Sequence, residues 1–396
     1  MMKLLVIVSS LDLTQPFSAT PAWWQLLKGL YEIGVEVIAA PYQGPAIESP
    51  WWRSAPNPAR REGNLFKFLR DQWRRIGGVQ FTQAAGTQIE REALSDKLVR
   101  RTAQTLIAPR WKRHVDRLLA KHPDINAVLI ITVPLNHITG LAQHIIERHQ
   151  KPVFFYDGDV PASLPNFRGF ASGFRFYQGA DPSEYTAFFS NSQGGAEGLR
   201  DLGARVVHTL FYGADPDLFA PLDIAQDLDV FFYGHGREYR ADWIDTMLRE
   251  PAMALPEARF AVRGTNLGDL GRVERLPYLS FSKLREYACR SKINLVITRK
   301  AHASVFASSS SRPFELAALG ACMVCNPYEG IETWFEPDQE LVIVHSAEEA
   351  VERYDWLLRH DESRRSIGRA ARERLLKEHT FRHRARQLVE VIQSYL

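Results

Sequence analysis

Cysteine is scarce in this 396-residue chain, which contains only Cys289, Cys322 and Cys325. Three cysteines cannot build a disulfide framework, and their scarcity fits a reducing compartment. Cys322 and Cys325 have the spacing of a redox or metal pair, but they lie in the apolar run Ala-Cys-Met-Val-Cys. Because residues three apart in a strand point to opposite faces, we predict that both thiols pack in a hydrophobic core.

Long hydrophobic runs and excess charge are also lacking. No stretch approaches the roughly 18 apolar residues of a membrane helix, and the apolar N-terminal stretch is too short for a signal peptide. We therefore expect a cytoplasmic protein. The net charge of +3 gives no reason to expect nucleic acid as a partner. No repeat of roughly 20–50 residues is visible, and the length fits two domains of roughly 150–200 residues.

Short apolar, β-branched runs recur in two series, as is typical of parallel sheets covered by helices on both faces. Between the series, the turn-rich segment 213–221 predicts a linker. We predict a first domain over 1–215, a second over 222–378 and a final helix over 379–396. The predicted strands are 3–9, 35–39, 127–132, 152–156, 187–190 and 206–210, then 229–233, 259–262, 293–297, 321–325 and 341–344.

A basic insertion at about 41–115 interrupts the first series. Between Arg53 and Arg75, Arg and Lys clearly outnumber the acidic residues Glu62 and Asp71. One interpretation is an acceptor-binding or membrane-surface segment over 50–75, anchored by Trp and Phe at the inner face of the membrane. The other is a solvated pair of amphipathic helices, which is the commoner origin of such a pattern.

The segment 298–326 carries the clearest chemical signal. A Ser-rich loop follows the strand over 293–297, and a short helix starts at Pro313 and is closed by Gly320. Helix N-termini present free N–H groups to anions, so with Arg299 and Arg312 this loop is suited to a diphosphate. Glu315 in the first turn can accept two hydrogen bonds from the vicinal hydroxyls of a ribose. Equally, it can serve only as a helix-stabilising carboxylate.

Four sequence segments in this half resemble glycosyltransferases of the GT-B fold, in the group-1 or family-4-like lineage. They are Arg312-Pro-Phe-Glu-Leu-Ala-Ala-Leu-Gly-Ala321, Glu329-Gly-Ile-Glu332, Phe335-Glu-Pro-Asp-Gln-Glu340 and His379-Thr-Phe-Arg-His-Arg384. The closest similarity is to the branch that includes the spore-maturation protein CgeB, and it covers about residues 180–390. The resemblance implies two Rossmann-like domains that face each other across a cleft, and a final helix that crosses back to the first domain.

The resemblance also implies a metal-independent sugar transfer of the hexosyltransferase type, with a UDP-, GDP- or dTDP-linked sugar as donor and no cofactor. It implies that Glu315 holds the donor ribose. The remaining implied donor contacts are Gly234, Arg237 and Arg240 in one loop, Ser309, Ser310, Ser311 and Arg312 in another, and Leu279 and Ser280 at the base. The sequence departs from the lineage at Ala307, where many members carry a second glutamate.

Acceptor and catalytic residues are expected in the first domain, at the carboxyl ends of its strands. Asp157 and Asp159 follow the strand over 152–156, and either carboxylate can act as a base, although the Asp-Gly-Asp sequence is also typical of a turn. His137 can act as a base or orient a sugar hydroxyl, whereas a lone histidine is more often structural. Ser10, Asp12 and Gln15 in the first loop are candidate contacts of a small-molecule, glycan or lipid-linked acceptor.

Two alternatives remain open. A nucleotide-sugar 2-epimerase of the same fold would release its product without an acceptor. A catalytically degenerate binding or coat protein would keep the fold and lose turnover, which the absence of the glutamate at Ala307 makes a real alternative. We expect no metal site, because the phosphate-type loop is C-terminal, unlike that of the transferase fold in which Asp-x-Asp holds a metal.

Overall fold

The computed structural model describes residues 2–12, 22–63, 97, 100–167, 176–234, 236, 240, 242–277 and 283–396. Most of the predicted basic insertion lies outside these residues. Among the described helices, none combines the length and apolar content that crossing a bilayer requires.

Thirteen strands are present in the described part of the chain. They are β1 (Lys3–Ser10), β2 (Glu36–Gln43), β3 (Arg53–Ser54), β4 (Ala127–Ile131), β5 (Val153–Asp157), β6 (Ala187–Ser190), β7 (Val207–Thr209), β8 (Leu228–Tyr233), β9 (Phe260–Arg263), β10 (Glu274–Arg275), β11 (Ser291–Val296), β12 (Met323–Cys325) and β13 (Val342–Ile343).

The described α-helices are α1 (Ala22–Glu32), α2 (Ala108–Lys121), α3 (Leu141–His149), α4 (Ala196–Asp201), α5 (Asp242–Ile244), α6 (Glu250–Ala254), α7 (Lys283–Cys289), α8 (Lys300–Ala303), α9 (Ser311–Ala318), α10 (Ala347–Arg359), α11 (Asp361–Glu378) and α12 (Phe381–Gln393). A π-helical turn precedes α2 at Ala103–Ile107, and another joins α5 to α6 at Asp245–Arg249. A 3₁₀ turn spans Leu135–His137.

The strands form two separate parallel sheets. The first has seven strands in the order β3-β2-β1-β4-β5-β6-β7, and the second has six in the order β10-β9-β8-β11-β12-β13. In each sheet the strand order reverses beside the first strand, between β1 and β4 and between β8 and β11. Ligands of doubly wound sheets bind at this reversal, outside the carboxyl ends of the strands.

The central strands of each sheet are buried on both faces, which explains why they are mostly apolar. In β1, Leu5 and Ile7 enter one core, whereas Leu4, Val6 and Val8 enter the core on the opposite face. The second sheet repeats this arrangement, and its two cores separate the paired cysteines. Cys322 packs in one core and Cys325 in the other, and burial raises the pKa of each thiol to about 12. The prediction that they are core residues is confirmed.

The final helix α12 crosses back to the first domain and packs on α1. Its residues Phe381, Ala385, Leu388 and Ile392 are buried with the side chains of β1 and α1. Through α12 the chain therefore returns from the second domain to the first.

Trp51 and Trp52, expected as apolar anchors of a membrane-surface segment, pack instead on α1. The Trp52 ring is buried 6.4 Å from that of Trp23, and the Trp51 ring lies 4.8 Å from that of Trp24. A buried ring cannot enter a membrane surface, so Trp52 is removed from that hypothesis. Residues 64–75 of the same segment lie outside the described residues.

Candidate active site

The carboxyl ends of the two sheets face each other and are joined by hydrogen bonds. The Oγ atoms of Ser192 and Ser308 lie 2.5 Å apart, and these residues form an antiparallel bridge. Asn191 Nδ2 donates to the Ser309 carbonyl at 2.7 Å, and Ser309 N donates to the Asn191 carbonyl at 2.9 Å. The loop that follows β6 is therefore fastened to the Ser-rich loop that precedes α9.

Ser309 was predicted to contact a phosphate, but in the structure its side chain forms hydrogen bonds within the domain junction. Its side chain is fully buried, its hydroxyl donates to the Asn191 carbonyl, and the same oxygen accepts from Tyr212 N at 3.0 Å. Because these contacts use the hydroxyl inside the domain junction, it is not available to a ligand. Ser310 and Ser311, which open α9, are only half-buried, and they remain placed for the predicted role.

A compact group of charged and aromatic side chains lies at the start of α9. The guanidinium carbon of Arg312 lies 4.3 Å from the centre of the Tyr233 ring, and that of Arg263 lies 4.6 Å from it. Both cations thus contact one aromatic ring at the carboxyl ends of β8 and β9, an arrangement that attracts each guanidinium to the ring. We call Tyr233, Arg263, Arg312 and Glu315 the α9 cluster.

Glu315 is the buried carboxylate of this cluster. Its side chain is fully buried, and among the described residues neither carboxylate oxygen has a hydrogen-bond partner. Arg312 Nε lies 3.8 Å from Oε2, too far for a hydrogen bond. Burial raises the pKa of Glu315, and the charge of Arg312 and the nearby Ser311 hydroxyl oppose that rise. Arg312 Nη1 is likewise buried without a partner. The cluster therefore holds unused acceptors and an unused donor.

The loop after β8 supplies the other predicted donor contacts. Gly234 lies where β8 meets the end of β9, and its carbonyl is so close to Gly264 that a Cβ there would clash at 1.7 Å. Arg240 Nε donates to the Ile297 carbonyl at 2.7 Å, which fastens this loop to the end of β11. Arg237, Leu279 and Ser280 lie outside the described residues.

Asp159, a predicted catalytic residue, contacts Arg299, a predicted donor residue, where the two domains meet. Its carboxylate accepts a hydrogen bond from Arg299 Nη2 of the second domain, and His302 Nε2 lies 3.8 Å away. Arg299 Nη2 also lies 3.3 Å from His302 Nε2. Burial lowers the pKa of His302 well below its usual range, and the charges of Arg299 and Arg240 lower it further. A neutral imidazole and an ion pair therefore meet where the domains face each other.

Asp157, the other predicted catalytic carboxylate, is an internal acceptor. Its side chain is buried and accepts from Ser163 Oγ at 2.6 Å and Tyr177 Oη at 2.5 Å, while Oδ1 accepts from Asp159 N at 2.9 Å. Burial raises its pKa, and the two hydroxyls oppose that rise. With its oxygens already bonded, Asp157 fits the role of fixing the Gly158 turn. The prediction that at least one of the two carboxylates is catalytic therefore rests on Asp159, and Asp157 is corrected to an internal acceptor.

The remaining candidates of the first domain lie at the same edge of its sheet. His137 Nδ1 lies 2.7 Å from Tyr42 Oη, in the 3₁₀ turn after β4. Ser10 ends β1, and its hydroxyl accepts from Asp12 N at 3.1 Å, so both residues belong to one short turn. These positions keep the predictions for His137, Ser10 and Asp12 open, while Gln15 lies outside the described residues.

Ala307, which replaces the second glutamate, is closed off by packing. It is fully buried in the core of the second domain and has a left-handed φ of 46°. Its N–H donates to the Glu329 carbonyl at 2.8 Å, and its carbonyl accepts from Gln193 N at 3.1 Å. A carboxylate here would be desolvated rather than presented to a sugar.

The architecture has counterparts among solved structures. Sucrose-phosphate synthase from Thermosynechococcus elongatus superposes with a TM-score of 0.65 at 14% identity, over 100% of this chain and 99% of that one. HepE from Anabaena, in complex with UDP-glucose, superposes with a TM-score of 0.60 at 11% identity, over the whole of both chains. The chain has the GT-B fold. At these identities the likeness establishes the fold alone.

Sequence comparison adds a match to the second half of the chain. A family model described as glycosyl transferase-like matches residues 238–390 of this GT-B protein. No curated protein sequence matches the chain. The matched range contains the α9 cluster except for Tyr233, and the expected membership of the CgeB branch stays a prediction.

Sequence reasoning missed three residues of the site. Tyr233 and Arg263 are the last residues of two buried strands, and His302 follows the Thr298-Arg299-Lys300 segment. The end of a parallel strand marks a candidate ligand position, so Tyr233 and Arg263 carried a usable signal. His302 did not, because its neighbour Asp159 is distant in sequence.

Proposed function

We propose that this protein is a glycosyltransferase that moves a sugar from a nucleoside-diphosphate sugar to an acceptor, without a catalytic metal. The observation that carries the proposal is the α9 cluster. Its buried carboxylate has two unused acceptor oxygens, and beside it lie Arg312 and the N-terminus of α9. A ribose diol matches the carboxylate, and a diphosphate matches the cation and the helix end.

Departure of the nucleoside diphosphate from the sugar would be promoted by electrostatic stabilisation. Negative charge develops on the diphosphate as the sugar leaves, and fixed cations and N–H groups stabilise that charge without having to reorganise. Arg312 and the first N–H groups of α9 would serve in this role, together with Arg237. Closure of the two domains would exclude water from the cleft.

Asp159 is the better placed of the two predicted bases. It is about one quarter exposed and faces the second domain, whereas Asp157 is buried and fully hydrogen-bonded. Asp159 is paired with Arg299. A donor phosphate would compete for Arg299, and release of Asp159 would then couple donor binding to activation of an acceptor hydroxyl.

The structural relatives favour uridine nucleotides as the first donors to test. HepE is described in complexes with UDP and with UDP-glucose, and a trehalose-6-phosphate protein from E. coli is described with UDP-2-fluoro glucose. That E. coli structure superposes with a TM-score of 0.64 at 12% identity, over 98% of each chain. A small molecule, a glycan or a lipid-linked sugar remains eligible as the acceptor.

Calorimetry with UDP, GDP and dTDP tests the donor site directly. We expect one nucleotide to bind and Arg312→Ala to weaken its affinity by roughly 10–100-fold, the usual cost of losing a hydrogen bond to a charged group. Arg369→Ala is the matched control, since Arg369 is an exposed arginine paired with Glu362 elsewhere in this domain. If none of the three nucleotides binds the wild type, the proposal fails.

Turnover separates the transferase from its alternatives. Incubation with the UDP-, GDP- or dTDP-sugar of the preferred nucleotide is expected to release the diphosphate in the presence of an acceptor. Release of an epimerised sugar would favour the 2-epimerase, and binding without transfer or hydrolysis would favour the degenerate protein. We expect activity to survive exhaustive EDTA treatment. Loss of activity that manganese restores would contradict metal independence.

A further inference from the structure

A second cluster of ligand-type side chains lies on the first domain, between α2 and α3. Asp116 of α2 accepts from both His144 and His149 of α3 through a single oxygen, Oδ1. The distances from Oδ1 are 2.9 Å to His144 Nε2 and 2.7 Å to His149 Nε2. Among the described residues, no other group of three histidine, cysteine or acidic side chains converges in this way.

The geometry of this cluster fits a metal ion. The three ligand atoms lie within 4.8 Å of one another, and the side chains are only about one fifth to one quarter exposed. Zinc–nitrogen and zinc–oxygen bonds of roughly 2.0–2.2 Å place neighbouring ligand atoms of a tetrahedral site about 3.3 Å apart. The two short contacts therefore need to open by only about half an ångström.

We propose that Asp116, His144 and His149 bind one divalent transition-metal ion of the zinc class. Two imidazoles and one carboxylate are the donor set that zinc and its neighbours in the series prefer over magnesium or calcium. Arg148 Nε lies 3.6 Å from Asp116 Oδ1, but its side chain is 64% exposed and can turn to solvent when the ion enters. Water completes the coordination.

The position of this site points to a structural role. His149 ends α3 just before β5 begins, whereas Asp157 at the other end of β5 lies at the cleft. The site is thus separated from the cleft by about the length of this strand, on the order of 15 Å. An ion held there would link α2 to α3 and stabilise the first domain. It would take no part in sugar transfer, so the proposal is independent of the predicted metal-free chemistry.

Zinc binding to the tag-free full chain, stripped of metal by EDTA and dialysed, tests the proposal. We expect about one Zn²⁺ per chain by calorimetry and a rise in melting temperature, since an ion that binds only the folded state stabilises it. His144→Ala and His149→Ala should each weaken binding by more than the roughly 10–100-fold typical of losing a residue that merely supports a ligand. His345→Ala is the matched control, because His345 also contacts a carboxylate but as a single histidine.

Equal zinc affinity in the wild type and the His144→Ala/His149→Ala double variant would overturn the proposal. Two measurements on the wild type test the proposal even if the variants do not fold. Co²⁺ should give the intense visible absorption of a tetrahedral site, and Zn²⁺ should protect His144 and His149 from carbethoxylation, as mapped by mass spectrometry. Absence of protection would count against the site even if zinc binds elsewhere.

Discussion

Glu315 is a fully buried carboxylate, and no described residue makes a hydrogen bond of normal geometry to it. Its raised pKa means that desolvation outweighs the stabilising effects of Arg312 and Ser311, so burial of the ionised form costs stability. We expect Glu315→Gln to leave the melting temperature unchanged or higher. The same change should weaken nucleotide affinity roughly 10-fold or more, since only one of the two terminal atoms still accepts a hydrogen bond. Thermal unfolding and calorimetry on the same preparation measure both effects.

Glu348→Gln is the control for this prediction. Glu348 is an exposed carboxylate in the first turn of α10, where it interacts with the helix end and not with a ligand site. Its replacement should lower stability only slightly, as expected for a surface helix-dipole interaction, and leave nucleotide binding unchanged. If Glu315→Gln behaves like Glu348→Gln, Glu315 has only a helix-stabilising role.

Replacement by asparagine should affect mainly turnover at Asp159 and mainly stability at Asp157. Asp159→Asn is expected to reduce turnover by at least about 100-fold with little change in stability, since general-base catalysis typically contributes this much and its ion pair is partly exposed. Asp157→Asn should instead lower the free energy of unfolding by about 1–3 kcal/mol, because an amide cannot accept all the hydrogen bonds that the buried carboxylate accepts. Steady-state rates and urea unfolding distinguish the two outcomes. A stable, inactive Asp157→Asn variant would reverse the assignment.

The roles of some candidate residues follow from residues close to them in the sequence, whereas the roles of others follow from contacts with distant parts of the chain. Arg312 and Glu315 were predicted because a Ser-rich loop and Pro313 mark a helix start locally. Ser309 satisfies the same local rule, yet Asn191, more than a hundred residues away, engages its main chain and hydroxyl. His302 was missed for the same reason, since its contact with Asp159 is created only when the domains meet.

At the scale of elements, the sequence predicts central strands better than edge strands. The six long strands that centre the two sheets, such as β1 and β8, are apolar because both faces are covered, and this pattern is visible in the sequence. The two-residue strands β3 and β10 lie at sheet edges and consist of Arg53-Ser54 and Glu274-Arg275. Such short polar segments form strands only because a neighbouring strand is already in place to pair with them. Their own sequence therefore carries no pattern that predicts a strand.

The contact between α1 and α12 depends on a glycine. A Cβ on Gly29 would lie 2.7 Å from the Phe381 carbonyl oxygen, which belongs to the main chain at the start of α12 and cannot move alone. We expect Gly29→Ala to lower the free energy of unfolding by about 1–3 kcal/mol, the usual cost of overpacking, despite the higher helix propensity of alanine. Urea unfolding measures the change.

Gly63→Ala provides the comparison, because a Cβ there meets no described atom within 4 Å. It should be neutral or slightly stabilising, as expected for alanine in place of glycine in a helix. If both variants keep wild-type stability, α12 is packed on α1 more loosely than the structure shows.

At the scale of the whole molecule, His379 lies where the linker, the second domain and α12 meet. Its carbonyl accepts from Ala214 N at 3.2 Å, and its ring packs between Phe314 and Phe335. Nδ1 lies 2.8 Å from Arg384 Nη2, so it is an acceptor and the imidazole is neutral. Burial and the charge of Arg384 lower the pKa of His379 to about 3. Protonation would place two buried cations side by side at the junction of the domains.

This junction should make the protein sensitive to acid. Between the unfolded pKa of about 6.5 and the folded pKa of about 3, the unfolded chain binds a proton at His379 that the native state does not, so stability falls as the pH drops. From pH 7 to 5 the loss from this residue is about 2 kcal/mol. We expect His379→Gln to lose less stability than the wild type over this interval, and His345→Gln, an exposed control, to follow the wild type. Equal losses in all three proteins, measured by urea unfolding at both pH values, would show that the acid response arises elsewhere, for example at the buried His302.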